Sequence, residues 1–392
     1  MTRRSGAVDG DDHDPCQRGT WLWLFGQPGV GKSATGFRLF QRLAENGVRV
    51  AFIEIDQIGM CMPAPDSARS TAKADNLLAV LDIFSEAGAS VIVTGDIVET
   101  MHDVLNRAPT QPVLCRLRAD DEVTTERLTA RGGPQYAMSS RIYGSFDVPD
   151  ADVDVTTHAS VDEVVDEIVR TVGPWPGEIN VVEAEAASAA PTPVPDADVI
   201  LITGPRAVGT STVAWQVLIE SIAVGCPTGF LDLDQLGFLS AATPDLALGV
   251  MVANVTACWA GFRAQGAKRL VLCGHADDRE VSTLRGLLPS LRVVALTATS
   301  DTLLERARWR REHRDIELPG DDLFGEGDDY LRDIVFASQT CLTEDADVTL
   351  GTDALQPVDI AARITPMWPA IARQRSTTVR IDRPSRRRRD RH

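Results

Sequence analysis

One eight-residue rule, Gly-x-x-x-x-Gly-x-Ser, is obeyed twice in this chain, at Gly26–Ser33 and at Gly204–Ser211, 178 residues apart. The same offset lays Glu54-Ile-Asp56-Gln57-Ile-Gly59 on Asp232-Leu-Asp234-Gln235-Leu-Gly237. It also lays Asn76 on Asn254, Phe84 on Phe262 and Gly88 on Gly266. One inserted residue raises the offset to 179, where Leu117-Arg-Ala119 meets Leu296-Thr-Ala298 and Glu126-Arg127 meets Glu305-Arg306. Ala151-Asp152-Val153 and Thr157 then meet Ala346-Asp347-Val348 and Thr352 at 195. An offset held so nearly constant through separate motifs is the mark of a tandem duplication. The chain is therefore expected to build one architecture twice.

Each copy reads as strands alternating with helices. Trp21 to Phe25 is a short apolar run entering the glycine-rich loop, as a buried strand does. Lys32 to Asn46 has apolar residues three or four apart and closes at Asn46-Gly47. Val48 to Ile55, Ala89 to Thr94, Val113 to Leu117 and Asp152 to Val155 follow as strands. Helices are expected over Ala74 to Ala87, Asp121 to Arg131 and Val161 to Val172. Such alternation implies a parallel sheet covered on both faces. The segments are 1–18, a polar N-terminus; 19–172, the first domain; 173–197, a linker; 198–372, the altered second domain; and 373–392, a tail. The linker carries Pro174, Pro176, Pro191, Pro193 and Pro195, a composition that favours extended chain. The N-terminus and the tail are expected to be disordered.

Charge limits the partners. The net charge is −17, yet the last twenty residues hold nine Arg and two Asp, or +7, which leaves the rest near −24. A body this acidic is a poor nucleic-acid binder, because that affinity comes from neutralising phosphates. Only Arg386–Arg389 in the tail offers nucleic acid or an acidic partner a contact, and a solvated tail is the other reading. Lysine occurs only at 32, 73 and 268. The seven cysteines form no Cys-x-x-Cys pair, which argues against a disulfide framework or a zinc site and fits a reducing cytoplasm. Cys115 and Cys273 sit in strand-like runs and are expected to be core thiols. No secretory h-region stands at the N-terminus, and no run is read as reaching the roughly 18 apolar residues of a membrane span.

Gly26, Gln27, Pro28, Gly29, Val30, Gly31, Lys32 and Ser33 follow a strand and open a helix, with Ala34 next, the context of a phosphate loop. Successive N–H groups there point at a β-phosphate, and the helix N-terminus adds partial positive charge. Lys32 would bridge the β- and γ-phosphates, and the Ser33 hydroxyl would ligate Mg²⁺, so ATP with Mg²⁺ is the expected ligand. The second copy places Thr210 where the lysine should be and is read as degenerate. Glu54-x-Asp56-Gln57 ends strand two at the carboxyl edge of the sheet, where ligands of open α/β sheets bind. Asp56 there can orient or deprotonate an acceptor hydroxyl, and Glu54 can hold a magnesium-bound water. Gly95 and Asp96 end strand three, Asp96 as a candidate metal-organising acid and Gly95 beside the substrate. Arg127 and Arg131 read as lid arginines that close over phosphates. Arg69 and Lys73 are positioned to cover an anionic or polar acceptor, and the second copy has no cation before Asn254.

With these residues in view, the chain resembles the small P-loop kinases: the shikimate, gluconate and adenylyl-sulfate kinases and their nucleoside-monophosphate relatives. The resemblance covers most of 21–172 and, more weakly, 199–364. It implies an α/β fold of two tandem P-loop NTPase domains, nucleoside-monophosphate-kinase-like, each a five-stranded parallel sheet with helices on both faces. It further implies that Asp56 touches the acceptor hydroxyl, that Glu54 acts near Mg²⁺ and that the Thr157 region lines the base. Glu54 departs from the first Asp usual in shikimate kinases, and Gly95-Asp96-Ile97 stands where their Gly-Gly-Arg motif would be. The sequence also looks like tandem ATP-binding proteins loosely labelled AAA-family ATPases, without an arginine-finger or sensor arrangement. Two functions follow as expectations. One is a kinase moving the γ-phosphoryl group of ATP to a small-molecule hydroxyl or phosphate acceptor, with a pseudokinase second domain. The other is a nucleotide-responsive regulatory protein with little or no catalysis. The oligomeric state is left open.

Overall fold

The computed structural model describes residues 21–63, 66–95, 98–132, 149–157, 160–173, 198–312, 323, 326–340 and 343–368. The first half contributes β1 (Trp21–Phe25), β2 (Val50–Glu54), β3 (Cys61–Met62), β4 (Ser90–Thr94), β5 (Val113–Arg118) and β6 (Val153–Thr156). The second contributes β7 (Asp198–Thr203), β8 (Thr228–Asp232), β9 (Arg269–Cys273), β10 (Arg292–Thr297) and β11 (Val348–Gly351). The first sheet runs β2-β4-β1-β5-β6, all parallel. The second runs β11-β10-β7-β9-β8-β3. Taken from β8 to β11, it repeats the first sheet's order, so the offset in sequence is an identity of topology. β1 is buried at every position, as a central strand covered by helices on both faces must be.

The second sheet has six strands where five were expected. Its sixth, β3, belongs to the first half and pairs antiparallel with β8, Cys61 opposite Gly229 and Met62 opposite Thr228. Phe230 N–H donates to the Met60 carbonyl at 2.8 Å. The second half returns the contact. Phe52 N–H donates to Phe238 O at 3.1 Å, and Ser240 N–H to Val50 O at 2.9 Å. Each half thus covers the exposed edge of the other's sheet, satisfying backbone groups that would otherwise template aggregation. Phe238 also enters a cluster with Phe37, Phe40 and Phe52, with ring centroids 5.2–6.0 Å away.

Behind this clasp two long helices, Asp66–Glu86 and Pro244–Ala264, pack on each other and merge the halves into one apolar cluster. Trp23, Ile53 and Phe84 lie in it together with Leu231, Trp259 and Phe262. Gly261 permits the close approach: a Cβ there would come within 1.9 Å of Asn76 Oδ1. Asn76 and Asn254, both fully buried, each donate to the carbonyl that closes the turn after strand two, at Ile58 (2.6 Å) and Leu236 (3.0 Å). That shared duty accounts for the asparagine at the same place in both copies, because a buried backbone carbonyl must be paired.

The helix Pro244–Ala264 also corrects the reading of apolar runs. It is 21 residues long with a mean hydropathy of 1.4 in its best window, long and apolar enough by composition to cross a membrane. Val255, Cys258, Trp259 and Phe262 are fully buried here. A helix with apolar residues on most faces is what a core position between two sheets demands.

The expected elements of the first half are all present with shifted ends, and β3 and one helix are additional to them. The helix expected from Ala74 begins at Asp66, and an additional helix, Val98–Arg107, follows β4. Cys115 and Cys273 are fully buried, as expected. Burial pushes the Cys115 thiol up to about 12. The N-terminal segment, the linker beyond residue 173 and the tail fall outside the described residues.

Candidate functional site

The phosphate loop joins β1 to the helix Lys32–Glu45. Gly26, Gly29 and Gly31 take φ values of 147°, 87° and 95°. Only glycine adopts these at little cost. Gly26 also has no room for a side chain, since a Cβ would meet the Leu117 carbonyl at 2.3 Å. Gly31 ends the loop in the left-handed region, so the first helical N–H groups face the loop's hollow, where an anion is favoured. Pro28 supplies no N–H, Val30 is buried, and the Gln27 amide ties the loop to Ala119 O at 3.2 Å. Ala34 lies exposed on the first turn.

Around this loop the expected polar residues converge in part. Lys32 Nζ folds onto the loop and donates to Gly26 O (2.6 Å) and Gln27 O (3.2 Å). The Ser33 hydroxyl donates to the Glu54 carboxylate. Oxygen donors from Ser33 and Glu54 thus stand together beside the loop, a donor set that suits a hard divalent cation. Asp56, two residues on in the turn after β2, is well exposed and pairs with Lys73 Nζ at 2.6 Å. Lys73 reaches it across Gly59, whose missing side chain makes room: a Cβ there would overlap the lysine stem at 2.2 Å. Gly95, at φ 118°, packs on Ile55, and its carbonyl accepts from the Trp23 indole at 2.9 Å.

Arg127 occupies a different place from the one a lid arginine suggests. Its guanidinium faces backbone: Gly29 O and Val30 O at 3.4 Å and Thr157 O at 3.2 Å. It ties the phosphate loop to the end of β6. Arg306 repeats this through Val208 O (3.1 Å) and Thr352 O (2.9 Å). Thr157 is buried, and its hydroxyl donates to Arg118 O at 3.2 Å. Arg69 and Arg131 lie on the helices Asp66–Glu86 and Asp121–Gly132, their side chains outside the described residues. Asp96 lies outside the described residues altogether.

The altered loop keeps the backbone and changes the chemistry. Ala207 and Gly209 stand at φ 64° and 98°, matching Gly29 and Gly31. A left-handed alanine costs about 1 kcal/mol. Its methyl needs space that the first half gives to Leu128, and the equivalent helix residue is Ala307, in the same cluster as Ala207. Asp232, in place of Glu54, accepts from Ser211 Oγ at 3.1 Å and from the Cys273 thiol at 3.4 Å. It is nearly inaccessible, and burial with the nearby Asp234 charge raises its carboxyl to about 6. Met251 replaces Lys73, and Asp234 has Arg206 at 4.0 Å instead. Arg308 and Arg311 pair with Asp328 at 2.7 and 2.6 Å.

Over the altered loop opens a cavity of about 1420 Å³. His275, Arg279, Trp309 and Arg310 line it, and so do Gln57 and Met60 of the first half. Sequence reading missed those two as site residues, because only the antiparallel pairing of β3 with β8 brings them there. Among the described residues no group of three or more His, Cys, Asp or Glu is placed to hold a metal.

Each half carries the strand order of an open parallel α/β sheet whose central strand runs into a glycine loop, a fold similar to that of the P-loop small-molecule kinases. The APS kinase of Mycobacterium tuberculosis, solved with AMPPNP and APS, shares 20% identity over 40% of this chain and 98% of its own, at a TM-score of 0.32. A gluconokinase from Sinorhizobium meliloti shares 18% over 38% and 90%, at 0.29. Shikimate kinase from Acinetobacter baumannii, in complex with shikimate, shares 20% over 43% and 90%, at 0.26. Identities this low speak to fold alone, and each match spans less than half of the present chain. No family model and no curated protein matches the chain.

Proposed function

We propose that this protein is an ATP-dependent phosphotransferase that moves the γ-phosphoryl group to a hydroxyl or phosphate of a small, anionic or polar acceptor. The observation that carries the reading is the pairing of two features at one sheet edge: the glycine loop with Lys32 and Ser33–Glu54, and the exposed Asp56 held by the largely buried Lys73 beyond it. The loop's N–H groups and Lys32 would hold the phosphates, with Lys32 turning from its own loop carbonyls to the ligand. Ser33 and Glu54 would hold Mg²⁺, which when bound neutralises phosphate charge. Lys73 would attract an anionic acceptor. Asp56 would orient the acceptor hydroxyl and take its proton as the acceptor oxygen bonds to the γ-phosphorus and the bond to the β–γ bridging oxygen breaks. ADP and the phosphorylated acceptor leave. Arg127 would act by fixing the loop, and Thr157 by shaping the site's far wall.

The two halves are read as products of duplication, the second a non-catalytic copy that lacks the lysine at Thr210 and the cation at Met251. A reducing, cytoplasmic setting fits the scattered thiols, and the acidic body disfavours nucleic acid. The test is ADP release from MgATP in the presence of fractionated metabolite pools. Acceptor-dependent release, abolished in Lys32→Ala and cut at least a hundredfold in Asp56→Asn, supports the proposal. No release with any pool, from protein that still binds MgATP, refutes it in favour of a nucleotide-responsive binding protein.

A further inference from the structure

We propose that the second half is a positioning platform for the acceptor chemistry of the first. It grips the segment that carries Asp56 at two points, Met60 and the buried amide of Asn76, and leaves nucleotide binding to the first half. The inference rests on the phosphotransferase reading for its chemistry, and the grip itself rests on packing. Asp56 stands in a turn of four residues, Ile55–Ile58, too short to hold a carboxylate by its own hydrogen bonds. The chain leaves the first sheet at Glu54, and the next strand it forms, β3, lies in the second sheet. Met60 O accepts the Phe230 N–H at 2.8 Å, and Cys61 and Met62 stand opposite Gly229 and Thr228. The turn itself touches β8, and Gln57, next to Asp56, lines the cavity of the second half. Beyond Asp56 the chain is therefore anchored in the second half.

The helix Asp66–Glu86 supplies the other grip. Lys73 pairs with Asp56 at 2.6 Å. Asn76, three residues on and so on the same helix face, donates from Nδ2 to Ile58 O at 2.6 Å. Asn76 is fully buried, and its Oδ1 has no hydrogen-bond partner among the described residues. A buried amide oxygen left alone costs stability, and a leucine would fill the space without that cost. What the asparagine adds is a directed bond to the turn. Its Oδ1 lies against Gly261 of the second half, where a Cβ would stand 1.9 Å away. Gly261 therefore sets how far the amide extends toward the turn. Asn254 makes the same bond to Leu236 O at 3.0 Å, but Met251 stands there in place of the lysine.

The phosphate loop is held differently, by Ala119, Arg127 and β1 of its own half. A misplacement of about 1 Å in a reacting group costs about a hundredfold in rate. Loosening the grip should thus lower turnover and spare the nucleotide.

The test uses the full chain with Gly261→Ala and, independently, Asn76→Leu, beside Asn254→Leu as the control at the equivalent place. Amide hydrogen exchange over 55–62 should be at least tenfold faster in the first two variants, and within twofold of wild type over the phosphate loop, 26–33. Calorimetric affinity for MgAMPPNP should stay within twofold. With a saturating metabolite pool that supports ADP release by the wild type, the maximal rate should fall at least tenfold in both, and Asn254→Leu should keep it within threefold. A merely structural asparagine would lower the rate alike at 76 and 254. Unchanged exchange over 55–62 overturns the proposal. So does a loss of MgAMPPNP affinity as large as the loss of rate, or an equal loss of rate at the two asparagines. If no pool supports ADP release by the wild type, the phosphotransferase reading fails, and exchange and calorimetry still decide whether the second half holds the segment.

Discussion

Asp232 is the acid whose environment departs most from water at either loop, and replacing it with asparagine should change the pH dependence of stability. Its carboxyl is 5% exposed and rises from 3.8 to about 6, chiefly through burial and secondarily through Asp234. A rise of about two units corresponds to about 3 kcal/mol of preference for the protonated form. The folded value lies above the unfolded one, so the folded protein binds the extra proton between pH 3.8 and 6. Stability from this group is complete below about pH 4 and is lost as pH rises through 6. The substituted amide cannot ionise; its one oxygen keeps the Asp234 N–H, and its NH2 faces the Ser211 hydroxyl, which can turn to accept. Urea unfolding of wild type and Asp232→Asn in EDTA, from pH 4 to 8, should show the difference moving in favour of asparagine by about 2–3 kcal/mol. Titrations shared by the two proteins cancel in the comparison. A difference constant within about 0.5 kcal/mol across that range would refute the reasoning, because an acid with an ordinary value contributes no slope there.

Three further outcomes follow from the packing. Gly261→Val should destabilise the protein by about 1–3 kcal/mol, measured by urea unfolding, because its side chain would displace Asn76 from the clasped helices. Lys73→Ala should raise the KM for an anionic acceptor about tenfold and leave nucleotide affinity within about twofold, since Lys73 pairs with Asp56 and not with the loop. Arg127→Ala should weaken nucleotide binding about fivefold and lower Tm by several degrees, through loss of the ties from the loop to β6.

Much of the fold was legible in the sequence because the repeat tests itself. A strand misread in one copy is corrected by its partner, and the loop glycines fix where β1 and β7 end. The clasp was not legible. β3 is two residues long, and its partner β8 lies 167 residues on (61 to 228); a pairing so short and so distant leaves no periodicity. The helix Pro244–Ala264 was under-read because its Pro-Asp start and central Asn254 interrupt an otherwise apolar run. At the site, residue types were readable and directions were not. Arg127 carries the right charge on the right helix, yet its guanidinium donates to the loop carbonyls of Gly29 and Val30 and to Thr157 O. Whether an arginine reaches a ligand or a carbonyl depends on a few ångströms of helix placement that sequence spacing does not encode. Lys73 was expected to meet an acceptor, and it also holds Asp56, a contact that depends on Gly59 lacking a side chain.

The claim beneath all of this is that the intact loop of the first half binds MgATP through Lys32. The most direct measurement is a calorimetric titration of the purified chain with MgAMPPNP, wild type beside Lys32→Ala. The account predicts one analogue per chain in the wild type and an affinity at least a hundredfold weaker in the variant. Equal binding by the two proteins would contradict it.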